Sequence, residues 1–398
     1  MKNNYFNVII PTRNRLETLR YSLQTALNQD YINYKIIISD NNSTDGTRDF
    51  VSSLHSEKIA YFNTGGSLSM SGNFEFALSK SKEGFVILIG DDDGLLPNAL
   101  NDINGIIHKE KTLAISSRTA LYYWPGGSPY EDLLIIPSGE RICERRASIQ
   151  YLKKVLNGDL NYPELPMLYT GGVVHTRLIE KAKEGRNKFF HSFTPDVYSG
   201  IAIASVVDEY TRTEKPFAIA GLSKYSNGQS QLGTSNDTAI AQIFLSENDI
   251  PFYPSLGDGK TNSLHLLTLE AYLQSGFLRT NEKVDLLRQF EIVIAKTSKK
   301  TKKETKNYLR LQCGFRSEFL SKSQFCIVLL TIIFALKDAF RLFKKFMAWD
   351  MISVKGIVKN VEDASLYISQ KESGIVQSIF YKFKFIKFAI HRRSLSFR

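Results

Sequence analysis

The chain has 398 residues, 43% of them hydrophobic and 12% aromatic, with a formal net charge of +11. That composition excludes a disordered or fibrous protein, and the length exceeds what one core usually holds, so about two domains are expected. The charge is uneven: residues 291–398 carry 22 Lys and Arg against 8 Asp and Glu, whereas the first 290 carry 29 against 32. A basic tail suits an anionic partner such as a membrane surface or nucleic acid.

FNVII (6–10) reads as a strand that ends at Pro11, and Leu16, Leu19, Leu23, Ala26 and Leu27 then recur at helical spacing. KIIIS (35–39) is a second strand, followed by DNNSTDGT. Ser43, Thr44 or Asp45 can cap the next helix, which carries Phe50, Val51 and Leu54. KIAYF (58–62) is a short strand, GNFEFALSKS (72–81) a helix, and FVILI (85–89) the next strand. Apolar runs separated by helices indicate a mostly parallel α/β sheet covered on both faces.

Beyond residue 110 the pattern is mixed. TLAISSRTALYYW holds strand-like runs, PGGSP (125–129) is a turn, and 144–157 predicts a helix. LYTGGVVHT (168–176) is a strand with a glycine pair, DVYSGIAIASVV (196–207) a helix and PFAIAG (216–221) a strand. From about 236 onward the pattern is mainly helical, so a first domain over 1–235 and a basic helical region over 236–398 are expected. KKTKKETK (299–306) is a cationic strip. FCIVLLTIIFAL (325–336) is apolar but only 12 residues long, short of the ~20 that span a bilayer. With the terminal FYKFKFIKFAIHRRSLSFR it fits helices lying in an anionic membrane interface; the alternative is a buried helix with a basic outer face. No nucleic-acid fold signature accompanies these segments, so nucleic acid is not an expected partner. Cys143, Cys313 and Cys326 lack metal-ligand spacing and cannot pair evenly, which suggests a reducing compartment and no zinc site. No charged-then-apolar leader precedes the first strand, so no signal peptide is expected.

Three strand ends carry polar residues: Pro11-Thr12-Arg13-Asn14-Arg15, Asp40-Asn41-Asn42-Ser43 and Asp91-Asp92-Asp93. In a parallel sheet these ends share one edge and can converge on one ligand. Three crowded carboxylates repel one another unless a hard divalent cation or donor groups neutralise them. The structural alternative is an acidic turn that caps the helix Pro97 opens. Neither the GxGxxG nor the P-loop pattern follows the first strand.

IIPTRNR, LQTALNQDY, KIIISDNNSTDGT, GNFEFAL and LIGDDDGLLPNAL together resemble the nucleotide-sugar region of family 2 glycosyltransferases with the GT-A fold, over about residues 5–105. The resemblance implies that Pro11, Thr12 and Arg13 line a nucleobase and ribose pocket, and that Asp40 bonds the base, usually uracil. Arg15, Asn42, Asn73 and Asp91 complete the donor-side set, with Asp92 and Asp93 as ligands of Mg²⁺ or Mn²⁺. The family's DxD motif aligns as Gly90-Asp91-Asp92, so a glycine stands where its first aspartate is usual. Sugar transfer with inversion needs a general base for the acceptor hydroxyl. The family keeps one at a helix start about a hundred residues later, where SFTPDVYSG supplies Asp196; a helix cap is the structural alternative. Gly171 and Gly172 resemble the glycine pair on the acceptor side. Residues 224–230 fit a loop that contacts the diphosphate, or an ordinary polar loop. His175 and His191 lie nearby and are expected to be structural.

The expected protein is thus a cytoplasmic transferase, peripheral at the inner membrane face. Its donor would be a UDP-sugar and its acceptor a glycan or lipid-linked hydroxyl. A sugar nucleotidyltransferase is the second enzyme reading, although PTRNRLE lacks the glycine-rich loop that class wants. A catalytically silent nucleotide-sugar scaffold is the third.

Overall fold

The computed structural model describes residues 3–126, 131–137, 142–224, 246–261, 263–279, 283–299, 301–315, 317–347 and 349–370. Its first part alternates β1 (Phe6–Thr12), α1 (Leu16–Leu27), β2 (Tyr34–Asp40), α2 (Thr47–Ser53), β3 (Ile59–Asn63), α3 (Met70–Leu78) and β4 (Phe85–Leu88). These strands are mutually parallel, with β1 between β2 and β4 in the register Thr12 to Asp40 and Ile9 to Leu88. Successive side chains of a strand point to opposite faces. Ile9, Ile37, Val86 and Leu88 therefore join one core, while Val8, Ile10, Ile36, Ile38 and Ile87 join another on the far face. The expected α/β sheet covered on both sides is present.

After β5 (Gly94–Leu95), α4 (Ala99–Glu110), β6 (Ala114–Ser117), β7 (Ala120–Tyr123), β8 (Leu133–Pro137) and β9 (Cys143–Ala147), the chain forms α5 (Ser148–Leu156), β10 (Gly172–His175), α6 (Thr176–Lys183), α7 (Pro195–Val206), β11 (Glu209–Thr213) and β12 (Ala218–Leu222). The main sheet has the order β3-β2-β1-β4-β10-β6-β11-β9, with β10 antiparallel to both neighbours. The helix expected over 144–157 begins only at Ser148. CERRA, with mostly polar side chains, instead pairs with β11 as the sheet's last strand.

Beyond residue 246 the described chain is mainly helical, as expected, with helices Leu264–Gln274, Leu286–Lys296, Lys302–Gln312, Ser317–Met347 and Val361–Gln370. One strand breaks the pattern: β13 (Trp349–Ser353) pairs with β8 in a second sheet of order β13-β8-β7-β12-β5. Val361 and Ala364 then pack with Tyr122, Trp124 and Ile219, so the end of the described chain is seated on the strands beside the acidic turn. No helix among the described residues is long and apolar enough to cross a membrane.

Candidate functional site

Strand β4 delivers the acidic turn to the carboxyl edge of the sheet. Asp93 N–H donates to the Gly90 carbonyl at 3.1 Å, closing a tight turn. All three aspartates are buried. Thr12, at the end of β1, donates its hydroxyl to Asp91 Oδ2 at 2.8 Å, and Arg15 Nη1 reaches Asp91 Oδ1 at 3.1 Å. Burial opposes the Arg15 charge, but Asp91 and then Asp92 more than offset it, and its pKa is raised.

The aspartates divide by partner. Asp93 is gripped by the backbone N–H of Gly90 and of Gly221, both at 2.8 Å, and by the Thr170 hydroxyl. Burial, then the neighbouring Asp92 charge, pushes its carboxyl up to about 7 despite those donors. Asp91 is also raised, first by burial. Asp92 accepts the Ser223 hydroxyl on Oδ2 at 2.6 Å, while its carbonyl accepts Trp124 Nε1–H at 3.1 Å. Tyr169 belongs to the same cluster: burial, then the charges of Asp93, Asp92 and Asp196, drive its phenol well above its usual range.

Asp40, at the end of β2, is wholly buried. It accepts the Ser43 N–H at 2.9 Å on Oδ1 and the Tyr61 hydroxyl on Oδ2. Burial and that bond raise Tyr61 to about 12. Pro11 sits in β1 beside Ser39, and Asn42 makes an exposed left-handed turn with φ of 60°. Asn73 is turned inward to accept the Ser39 hydroxyl at 2.6 Å. Arg13 points along the same edge and is held by both Glu247 carboxylate oxygens at 2.7 Å, while Ser69 donates to Asp249. Residues 247–249 therefore return to the rim of the strand-end site.

Asp196 lies in the first turn of α7 behind Pro195, and Tyr162 donates to its Oδ2 at 2.7 Å. The N-cap of α7 is Thr194, which makes no side-chain cap bond, and Asp196 lies inside the first turn rather than at the cap position. Gly171 has φ of 95°, and a Cβ on Gly172 would lie 1.6 Å from the Met167 carbonyl. The glycine pair is thus required by backbone packing at the entry to β10. His175 caps α6 through its ring, accepting the Arg177 N–H at 3.1 Å, and His191 contacts Tyr198 and Phe277 edge-on. Of the loop 224–230, all but Lys224 lies outside the described residues, as does the terminal segment 380–398; Lys224 meets Glu17 at 3.4 Å.

The structure thus gathers Thr12, Arg15 and Asp91–Asp93 in one hydrogen-bonded cluster at the edge that also carries Asp40, and the Asp196 charge adds to those that raise the Tyr169 phenol. Sequence reasoning missed Tyr61, Tyr162, Tyr169, Thr170, Ser223 and Glu247. Apart from the adjacent Tyr169 and Thr170 they come from separate segments, and only the fold brings them together.

Residues 7–149 match the family model for glycosyl transferase family 2. A GalNAc(5)-diNAcBac-PP-undecaprenol beta-1,3-glucosyltransferase of Campylobacter jejuni is 36% identical over 100 residues, 24% of this chain and 32% of that protein. The putative colanic acid biosynthesis glycosyl transferase WcaA of Escherichia coli is 26% identical over 140 residues, 34% of this chain and 50% of that protein. The chain therefore spans a third to a half of the length of these curated relatives. Among solved structures, S. aureus TarS 1-349 in complex with UDP-GlcNAc aligns with 76% of this chain and 87% of its own, at 13% identity and a TM-score of 0.45. Over residues 7–149 the chain is thus similar to glycosyl transferase family 2.

Proposed function

We propose that the protein is an inverting glycosyltransferase that moves a sugar from a nucleoside-diphosphate donor, expected to be UDP-linked, to a hydroxyl of a glycan or lipid-linked acceptor. The observation that carries this reading is the convergence of Thr12, Arg15 and the three aspartates at a carboxyl edge shared with Asp40, inside the segment that matches the family. The Campylobacter relative is named for a lipid-linked glycan, which supports that class of acceptor here. Peripheral attachment at the anionic inner face of the membrane would place the enzyme beside such an acceptor.

Asp40 with Tyr61 would read the base, and Pro11, Thr12 and Arg13 would line the base and ribose. Arg13 must leave Glu247 or share it. Asp91 and Asp92 act on the one Arg15 guanidinium with Asp93 beside them, an excess of carboxylates that fits a hard cation bound through oxygen donors. Among the described residues no three His, Cys, Asp or Glu side chains form a ready metal cage. Mg²⁺ and Mn²⁺ sites of this kind are completed by substrate phosphates. Both Asp93 oxygens already carry protein donors, so of the two acids expected to bind metal we propose that Asp92 holds the ion and Asp93 anchors the turn. The bound ion would supply charge neutralisation for the departing diphosphate.

At the reacting carbon the bond to the diphosphate oxygen breaks as a bond to the acceptor oxygen forms. The acceptor proton passes to Asp196, oriented by the Tyr162 hydroxyl. The test is nucleoside-diphosphate release from UDP-sugars with acceptor, with and without Mn²⁺. UDP-dependent, Mn²⁺-dependent release supports the reading; binding without turnover of any donor would favour the scaffold.

A further inference from the structure

Helix Ser317–Met347 is apolar on two sides. Its inner side sets Leu330 and Phe334 against Ile292 and Ala295 of helix Leu286–Lys296, while Ile327 is buried in the adjoining cluster with Phe290, Val293 and Ile294. Its outer side presents Phe325, Val328, Ile332, Leu336, Phe340 and Phe343, each between 52% and 77% exposed. Steps of three and four residues align these six on one face. A helix apolar on both sides normally lies within a core or a bilayer.

A groove of about 470 Å³ opens beside this stripe, against helix Lys302–Gln312. Val328 and Ile332 form its apolar wall, and Lys302, Lys306 and Thr331 its polar side. Lys302 Nζ stands 3.4 Å from Thr331 Oγ1. Burial, then repulsion from Lys306 and Lys299, lowers the Lys302 pKa. Among the described residues none of these three lysines forms an ion pair with a carboxylate. Aromatic and aliphatic side chains edged by unneutralised cations match the boundary between lipid headgroups and acyl chains. A second copy on the same face would bring like charges together; an anionic lipid surface is complementary.

We propose that this face docks on an anionic bilayer, with Phe325, Ile332 and Leu336 entering the acyl boundary and the Lys302–Lys306 groove holding a phospholipid phosphate. The inference deepens the membrane-side reading above and rests on it only for the purpose that docking serves.

The test is co-sedimentation of the full chain with phosphatidylglycerol–phosphatidylcholine vesicles. The wild type should pellet with these and stay in solution with pure phosphatidylcholine. Lys302→Gln with Lys306→Gln should weaken partition about five-fold per lysine. Phe325→Ser, Ile332→Ser and Leu336→Ser together should abolish it. All five positions are outside the proposed site, so melting and UDP-sugar turnover with a soluble acceptor should match the wild type. Residues 371–398 remain in every variant, so lost sedimentation reports on the helix. Wild-type sedimentation by the apolar variant, or its conversion of a dimer to a monomer in light scattering, would overturn the proposal. Absence of turnover in every form would defeat the transferase reading without touching the vesicle result.

Discussion

Gly90 stands where the resemblance calls for an aspartate, and the surroundings explain why a side chain is absent. A Cβ there would lie 2.9 Å from the Tyr169 hydroxyl, 3.0 Å from Asp93 Oδ2 and 3.1 Å from Asp92 Oδ1. These neighbours are not free to retreat. Asp93 Oδ2 is held by the Gly90 N–H and Thr170, and the Tyr169 ring stacks on Phe74 with centroids 6.2 Å apart. Gly90→Ala should therefore cost about 2 kcal/mol, the middle of the range for overpacking a full site. Gly90→Asp, which restores the family motif, adds a fourth carboxylate where burial already raises Asp91 and Asp93. Leaving a buried charge uncompensated should add about 3 kcal/mol to the alanine penalty. Urea unfolding measures both differences, and UDP-sugar turnover should fall in both variants. An alanine variant within about 0.5 kcal/mol of wild type, or an aspartate variant that turns over faster, would refute the reasoning.

Asp92→Asn should keep the fold, by its melting curve, and lose the Mn²⁺-dependent part of turnover. Glu247→Gln removes the carboxylate that holds Arg13 from both oxygens; donor KM should fall a few-fold with kcat unchanged if Arg13 then serves the donor. Tyr162→Phe removes the donor to Asp196 and should lower kcat about ten-fold, near the net strength of one charged hydrogen bond, without changing donor affinity. Buried Glu270, whose carboxyl burial pushes up to about 7, binds its proton more tightly folded than unfolded. Stability should accordingly fall as pH rises from 4.5 to 7, by about 3 kcal/mol, and Glu270→Gln should flatten that slope in melting experiments.

What the sequence revealed depended on the range of the interactions involved. Helix Leu16–Leu27 and strands β1, β2 and β4 were legible because their apolar periods are local and uninterrupted. The start of α3 was placed two residues late: Ser69 is its cap, accepting the Gly72 N–H, and the Gly-Asn pair lies inside the first turn. CERRA looked helical because an edge strand with a solvated face shows no apolar alternation. The second sheet was not foreseeable, since it joins residues 94–95 to 349–353 through pairings no local pattern announces. At the site, the three strand ends were identified from their acidic and polar residues. The donors that divide Asp91, Asp92 and Asp93 into different environments were not, because Thr170, Gly221 and Ser223 lie 77 to 131 positions away.

The most direct test of the central claim is Asp196→Asn, measured for both donor binding and transfer. The thermal shift with UDP-sugar and Mn²⁺ should equal that of the wild type, while glycosyl transfer to the acceptor falls by about 10²–10⁴. Intact transfer together with weakened donor binding would contradict the account.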